Sequence, residues 1–345
     1  MGTDTSIRIA GTGSFVPEHI ITNEVIGGLV ERYFPGKGAV WAREKLGILE
    51  RRFALPLEPA TGNPIGCFDE LTLACRAAST AISRAGIEAS ALQGLWYISC
   101  TQSGPDQHFG RLALGLHARL GLRADAFALE LDAGCGGAVH VIATAAAQMR
   151  GAKLEYVLVV ASNMASQFFR NWEAYAQNGA WLSMYIFGDG AGAAVLRQVP
   201  GRRAGILATY TAVDPQRPLM EFGQGPDDSV PVYRIDGRAV VQGFRTYARA
   251  ALSELQHRCL FRLEDVRRFY FHQVNALVLR SFIAELPLAA ERVSVHVDRY
   301  GNLASAATLV LLDEDLQRGV VGRGDLCVFC TVGAGAQYGA ILAEI

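Results

Sequence analysis

LDAGCGGAVHVIATAAAQMR (131–150) reads as a strand end, a turn of small residues and an alanine-rich helix. A short polar loop follows, then the apolar run YVLVVAS (156–162) and the glycine-rich YIFGDGAGAAVL (185–196), read as strand, turn and strand. The same order returns later. Asn302 opens the helix NLASAATLVLLDEDLQRG (302–319), followed by a polar loop, the strand LCVFCTV (326–332) and the glycine-rich GAGAQYGAIL (333–342). Cys135 to Val159 is 24 residues and Asn302 to Val328 is 26. A repeated order of elements at matched spacing marks a duplicated unit. Pseudo-two-fold symmetry would bring the starts of the two equivalent helices together, with Cys135 and Asn302 facing one cavity. The expected boundary lies near RQVPGRRAG (197–205), giving halves 1–197 and 198–345.

Outward from this core, strands are expected at IRIAGTG (7–13), GLWYISC (94–100), FYF (269–271) and VSVHV (293–297), and helices at 238–258 and 276–285. Alternating strand and helix over a chain this long argues for an α/β architecture with a large buried core.

The 345 residues carry a net charge of -1, so no global field favours nucleic acid or an anionic membrane. No apolar run approaches the ~20 residues of a membrane-spanning helix, and no signal peptide is visible. Seven cysteines, an odd count in a long chain, argue against a disulfide framework and for a reducing cytoplasm. Cys327 and Cys330 form a C-x-x-C inside an apolar run, which reads as a buried strand, and no clustered histidine supports a zinc site.

Three residues attract chemistry. Cys135 sits between Gly134 and Gly136 at a helix start, where the helix dipole and free N–H groups favour a thiolate and offer an oxyanion hole. A buried structural cysteine in a tight turn is the equal alternative. His272 follows an apolar strand, with polar Gln273 and Asn275 after it, and strand ends are where sites collect. A satisfied core histidine is the alternative. Asn302 alone reads as a helix N-cap.

LDAGCGG, FHQVN and YGNLASAA, in that order, resemble the Cys, His and Asn motifs of the type III ketoacyl synthases of the thiolase superfamily. GTGSFVPEHIITNE, KLGILERRFA and IFGDGAGAAVL extend the resemblance over nearly the whole chain. It implies a five-layered αβαβα thiolase-like fold and a homodimer. It also implies that Cys135 is acylated by a thioester of coenzyme A or acyl carrier protein. His272 and Asn302 would then hold the carbonyl of a malonyl thioester on acyl carrier protein as carbon dioxide leaves. Neither a metal nor an organic cofactor is required. The alternatives are transfer of the acyl group to a hydroxyl or amine, with His272 as base, and a non-catalytic partner subunit.

Substrate contacts are implied at further positions. Trp41 matches a tryptophan that stacks on the adenine of coenzyme A, and Lys45 stands where an arginine is usual. Phe109 lies one residue from a phenylalanine that reaches across the dimer. Arg170 is the candidate for a second coenzyme A arginine. Gly333 and Gly335 take the place of a glycine triplet. The chain departs from the pattern at Val274, Tyr300, Leu303, Ala336 and Gln337, which points to a specialised relative. The aromatic-rich segment 165–185 is longer than usual. It reads either as an inserted surface lobe or dimer-contact loop, or as a reshaped entrance or acyl pocket.

Overall fold

The computed structural model describes residues 5–345 apart from 59, 102–110, 172–174, 176–178, 202–203, 217–218 and 225–230; the side chains of 170, 171, 221–224 and 231–233 are also outside the description. The first sheet runs in the order β1 (Thr5–Phe15), β7 (Gly190–Pro200), β6 (Tyr156–Asn163), β4 (Gly94–Ser99) and β5 (Phe127–Glu130). The second runs β8 (Gly205–Val213), β13 (Gln337–Glu344), β12 (Leu326–Val332) and β11 (Arg268–Phe271). Both begin with two antiparallel pairings and continue with a parallel one. Where β5 flanks β4 in the first sheet, the second has a single parallel bridge, Phe269 to Val293, beside β11. The two sheets are therefore the same motif built twice.

Two helices lie between the sheets. α5 (Gly137–Ala152) packs on β6 and β4 on one side and on β13, β8 and β12 on the other. α10 (Ala307–Gln317) touches β1 and β7 on one side and β11 on the other. α10 is buried nearly all round and α5 over most of its first ten residues, and the alanines of α5 let the flanking sheets approach. α3 (Glu70–Arg84) and α4 (Arg111–Arg119) cover the outer face of the first sheet. α7 (Gly237–Arg258) covers the second, with α8 (Ala276–Ala284) packed into the same outer core. This is the expected αβαβα layering.

Acidic residues in α10 are satisfied on both sides. Asp313 accepts from Thr12 Oγ1 at 2.8 Å and Ser14 Oγ at 2.6 Å and pairs with Arg84. Asp315 pairs with Arg268 at 2.8 Å and accepts from the Ser294 hydroxyl. A buried carboxylate is tolerated when donors surround it. The central helix is thus pinned to both halves.

Three sequence expectations are corrected. Residues 185–186 end a short helix, α6 (Trp181–Ile186), because the apolar run fits either element and its tertiary setting decides. VSVHV forms only the Val293 bridge before α9 (Val297–Tyr300); Gln273 takes up the backbone N–H groups of His296 and Val297 that a longer strand would have paired. The 197/198 boundary falls inside β7, and the chain changes sheets between Pro200 and Gly205. The remaining elements are α1 (Asn23–Val30), α2 (Ala39–Leu46), and two ribbons, β2 (His19–Thr22) with β3 (Glu50–Phe53) and β9 (Met220–Gln224) with β10 (Pro231–Ile235). Among the described residues no helix is long and apolar enough to cross a membrane.

Candidate active site

Cys135 is the middle residue of a 3-10 turn, Gly134–Gly136, that links β5 to α5. Gly134 has φ +52°, a conformation that L side chains resist. Gly136 is squeezed: a Cβ there would stand 2.7 Å from Gln337 O and 3.0 Å from Gly333 N. Thr331 Oγ1 donates to Gly136 O at 2.8 Å and fixes the turn against β12.

The second half contains the same device. Ala304–Ser305–Ala306 is a 3-10 turn ahead of α10, and Ala304 has φ +50°. The strand that follows begins 21 residues after Cys135 in one half and 21 after Ser305 in the other, at Tyr156 and Leu326. The counterpart of Cys135 is therefore Ser305, and Asn302 lies just before the second turn.

Asn302 is nonetheless well placed. Its N–H donates to Ile186 O at 2.8 Å, and its carbonyl accepts from Gly188 N at 3.1 Å. Its Oδ1 accepts from Ala304 N at 2.8 Å, which leaves Nδ2 as a donor with no partner among the described residues. The capping reading and the functional reading thus use different atoms of one amide.

His272 follows β11, its N–H donating to Cys330 O at 2.9 Å. The ring is 4% exposed and Nδ1 has no partner. Burial, with no carboxylate to offset it, holds its pKa down to about 4, so the imidazole is neutral. Gln273, read from sequence as lining a cavity, instead clasps two loops. Its Nε2 donates to Phe271 O at 2.9 Å and Ser294 O at 3.3 Å, and its Oε1 accepts from His296 N at 3.1 Å and Val297 N at 3.3 Å. Asn275 caps α8 through Val278 N at 2.9 Å and faces the cavity.

Cys135, His272 and Asn302 line one cavity of about 240 Å³. Trp41, Lys45 and Gly333 line it too, while Gly335 lies outside the lining. Phe109 and the side chain of Arg170 lie outside the described residues. Leu182, Phe187, Leu219, Met220, Val240 and Phe244 make the walls largely apolar. Within the described part of the segment 165–185, Phe168, Phe169, Tyr175 and Tyr185 are buried, and Trp181 packs edge-on to Trp41 with ring centroids 5.2 Å apart. The helix α6 that closes it brings Leu182 and Ile186 to the cavity wall.

One neighbour was hidden from sequence reasoning. Cys100, just beyond β4, and Cys135 both face a smaller cavity with Thr101, Asn163, Ala165, Phe187 and Met220. The neighbouring Cys100 thiol, reinforced by burial, pushes the Cys135 thiol well up, while Cys135 lowers that of Cys100. The helix terminus alone had suggested a lowered Cys135. The chain around Cys100 is held by Glu70, whose carboxylate accepts from Ser99 Oγ at 2.6 Å and Thr101 Oγ1 at 2.9 Å. A lone cysteine after an apolar strand gives no sequence signal of such a role. Among the described residues no cluster of His, Cys, Asp or Glu could hold a metal ion.

The model of the family described as 3-oxoacyl-[acyl-carrier-protein (ACP)] synthase III matches residues 129–215, and that of its C-terminal part matches 257–345. Beta-ketoacyl-[acyl-carrier-protein] synthase III of Alkalilimnicola ehrlichii is 30% identical over 97% of this chain and 98% of its own. The crystal structure of 3-oxoacyl-(acyl carrier protein) synthase III from Pseudomonas aeruginosa matches at TM-score 0.82 and 24% identity, covering 98% of each chain. OleA of Xanthomonas campestris, solved with bound lauric acid and lauroyl-CoA, shares the fold at TM-score 0.81 and 17% identity over 100% of each chain. The five layers described above are those of the thiolase fold. With a matching family at both ends of the site and a relative aligned along its whole length, the chain belongs to the beta-ketoacyl-[acyl-carrier-protein] synthase III family and is a condensing enzyme of the acyltransferase class.

Proposed function

We propose that the chain loads an acyl group onto Cys135 and extends it by decarboxylative condensation with a malonyl-type thioester. The observation that carries this reading is the meeting of Cys135 with two neutral donors, His272 and Asn302, in one largely apolar cavity. The Cys135 sulfur attacks the donor thioester carbonyl, and the donor thiol leaves with a proton. The N–H groups at the start of α5 face the oxyanion that develops. In the second half-reaction the malonyl carbon–carbon bond breaks and carbon dioxide leaves. The enolate oxygen accepts hydrogen bonds from His272 Nε2 and Asn302 Nδ2. Its carbon then attacks the acyl-Cys135 carbonyl, the carbon–sulfur bond breaks, and the β-ketoacyl product leaves.

Neutral donors suit an enolate. A histidine held near 4, without a carboxylate partner, is a poor general base, so the same geometry speaks against acyl transfer to a hydroxyl or amine. The cavity offers Lys45 beside Trp41 at its lining, which fits a phosphopantetheine-bearing donor. That donor is carried by acyl carrier protein or coenzyme A, and the working unit is a homodimer. No metal or organic cofactor takes part in these steps.

The test is intact-protein mass spectrometry after incubation with a panel of acyl thioesters, followed by malonyl carrier protein. The reading expects an adduct on Cys135, then release of carbon dioxide and a β-keto thioester. Formation of the adduct without decarboxylation under any malonyl thioester would sink it.

A further inference from the structure

Cys135 does not meet its cavities alone. Cys100 lines the same small cavity. Cys100 is itself held from two sides. Its Sγ reaches Ser305 Oγ at 3.8 Å, and the adjoining Ser99 and Thr101 hydroxyls are fixed on Glu70. Cys135 is anchored through Thr331 on Gly136. Neither the condensation nor the carbonyl-binding step above uses Cys100.

We propose that Cys100 and Cys135 form a dithiol that a hydroperoxide closes to a disulfide, reversibly masking Cys135. The pairing rests on the cavity that the two cysteines share, and its effect on activity rests on the acyl-Cys135 reading above. The main cavity reaches Cys135 and admits the oxidant. The Cys135 sulfur attacks one peroxide oxygen, the oxygen–oxygen bond breaks, and the thiol proton leaves with the departing oxygen as water or alcohol. This gives a sulfenic acid on Cys135. The Cys100 sulfur then attacks the Cys135 sulfur, the sulfur–oxygen bond breaks, and hydroxide leaves as water with the Cys100 proton. Two thiols lose two electrons and two protons, and one peroxide is reduced. The lowered Cys100 thiol suits the resolving role.

Other cysteines make poor competitors. Cys327 and Cys330 are buried in β12, where burial pushes the Cys327 thiol up to about 12 and Cys330 higher still. Neither lines the two cavities that meet at Cys135.

The experiment treats the full-length enzyme with hydrogen peroxide, removes the excess, and maps peptides without reduction. The expected result is a Cys100–Cys135 linked peptide, lighter than its two parts by two hydrogens. Acylation of Cys135 should be lost and then fully regained with dithiothreitol. In Cys100→Ala, the same treatment should carry Cys135 to the sulfinic acid, which dithiothreitol does not reverse. Recovery of both cysteines as free thiols overturns the proposal. So does sulfinic acid on Cys135 of the unmodified enzyme without the linked peptide. If Cys135 takes no acyl group even before oxidation, the functional reading falls while the linked peptide still decides this one.

Discussion

Gly134 and Ala304 hold the same left-handed backbone conformation, φ +52° and +50°, at corresponding places in the two halves. One turn presents Cys135 and the other Ser305. A left-handed residue with a Cβ carries about 1–2 kcal/mol of strain, which glycine avoids. Gly134→Ala should therefore destabilise the fold by about 1–2 kcal/mol, since the added Cβ meets its neighbours at ordinary contact distances of 3.5 Å or more and strain alone decides. Ala304→Gly trades that strain against lost burial and added chain entropy, and should stay within about 1 kcal/mol of the parent. Urea unfolding of both variants checks the pair. Equal destabilisation would count against the strain argument.

The three site residues should separate by half-reaction. Cys135→Ala should form no acyl adduct. His272→Ala and Asn302→Ala should still load Cys135 but lose malonyl decarboxylation by about 10²–10³-fold, the usual cost of one oxyanion donor. Adduct mass and carbon dioxide release, measured on the same samples, distinguish the two steps. Loss of loading in Asn302→Ala would mean that its amide serves the first step instead.

Two buried histidines set an acid limit. Burial lowers His272 to about 4 and His296 to about 3, below the ordinary 6.5. Each therefore binds its proton more readily in the unfolded chain than in the folded one. Their contribution is complete above about 6.5 and is lost as pH falls toward 4 and then 3, on the order of 3 kcal/mol for His272 and about 5 kcal/mol for His296 at full development. Unfolding free energy should drop between about pH 6.5 and 4.5. The drop should be shallower in His296→Gln. An unchanged slope in that variant would remove His296 from the account.

Trp181 joins the aromatic-rich segment to the cavity. It packs on Trp41 at 5.2 Å, Phe34 at 5.3 Å and Tyr185 at 6.3 Å. Trp181→Ala should cost about 2–3 kcal/mol, less than a fully buried ring because Trp181 is only partly buried. It should also free Trp41 at the cavity wall, so KM for acyl donors should shift more than kcat. Steady-state kinetics across donors of different chain length provide the check. A pure loss of kcat with unchanged KM would disconnect the segment from donor binding.

Much of this was legible in the amino-acid order. The strand–turn–helix around Cys135 announces itself through flanking glycines and an alanine-rich helix, because close approach of the neighbouring sheets demands small residues. The repeat was visible, yet its register was set on Asn302, since an asparagine at a helix start looks more like chemistry than Ser305 does. The apolar alternation of VSVHV imitates a strand, but the amide of Gln273, distant in sequence, takes the backbone donors. Cys100 was invisible for the same reason. What gives it a role is a partner from another loop, and sequence spacing carries no record of that encounter.

The amide of Gln273 has further reach. Its nitrogen grips the carbonyls of Phe271 and Ser294, and its oxygen grips the N–H groups of His296 and Val297. One end of this linkage lies beside His272, and the other begins the short helix that leads to Asn302. One buried amide thus ties together the two stretches of chain that carry His272 and Asn302, and it does so with backbone partners that are independent of the apolar residues lining the cavity.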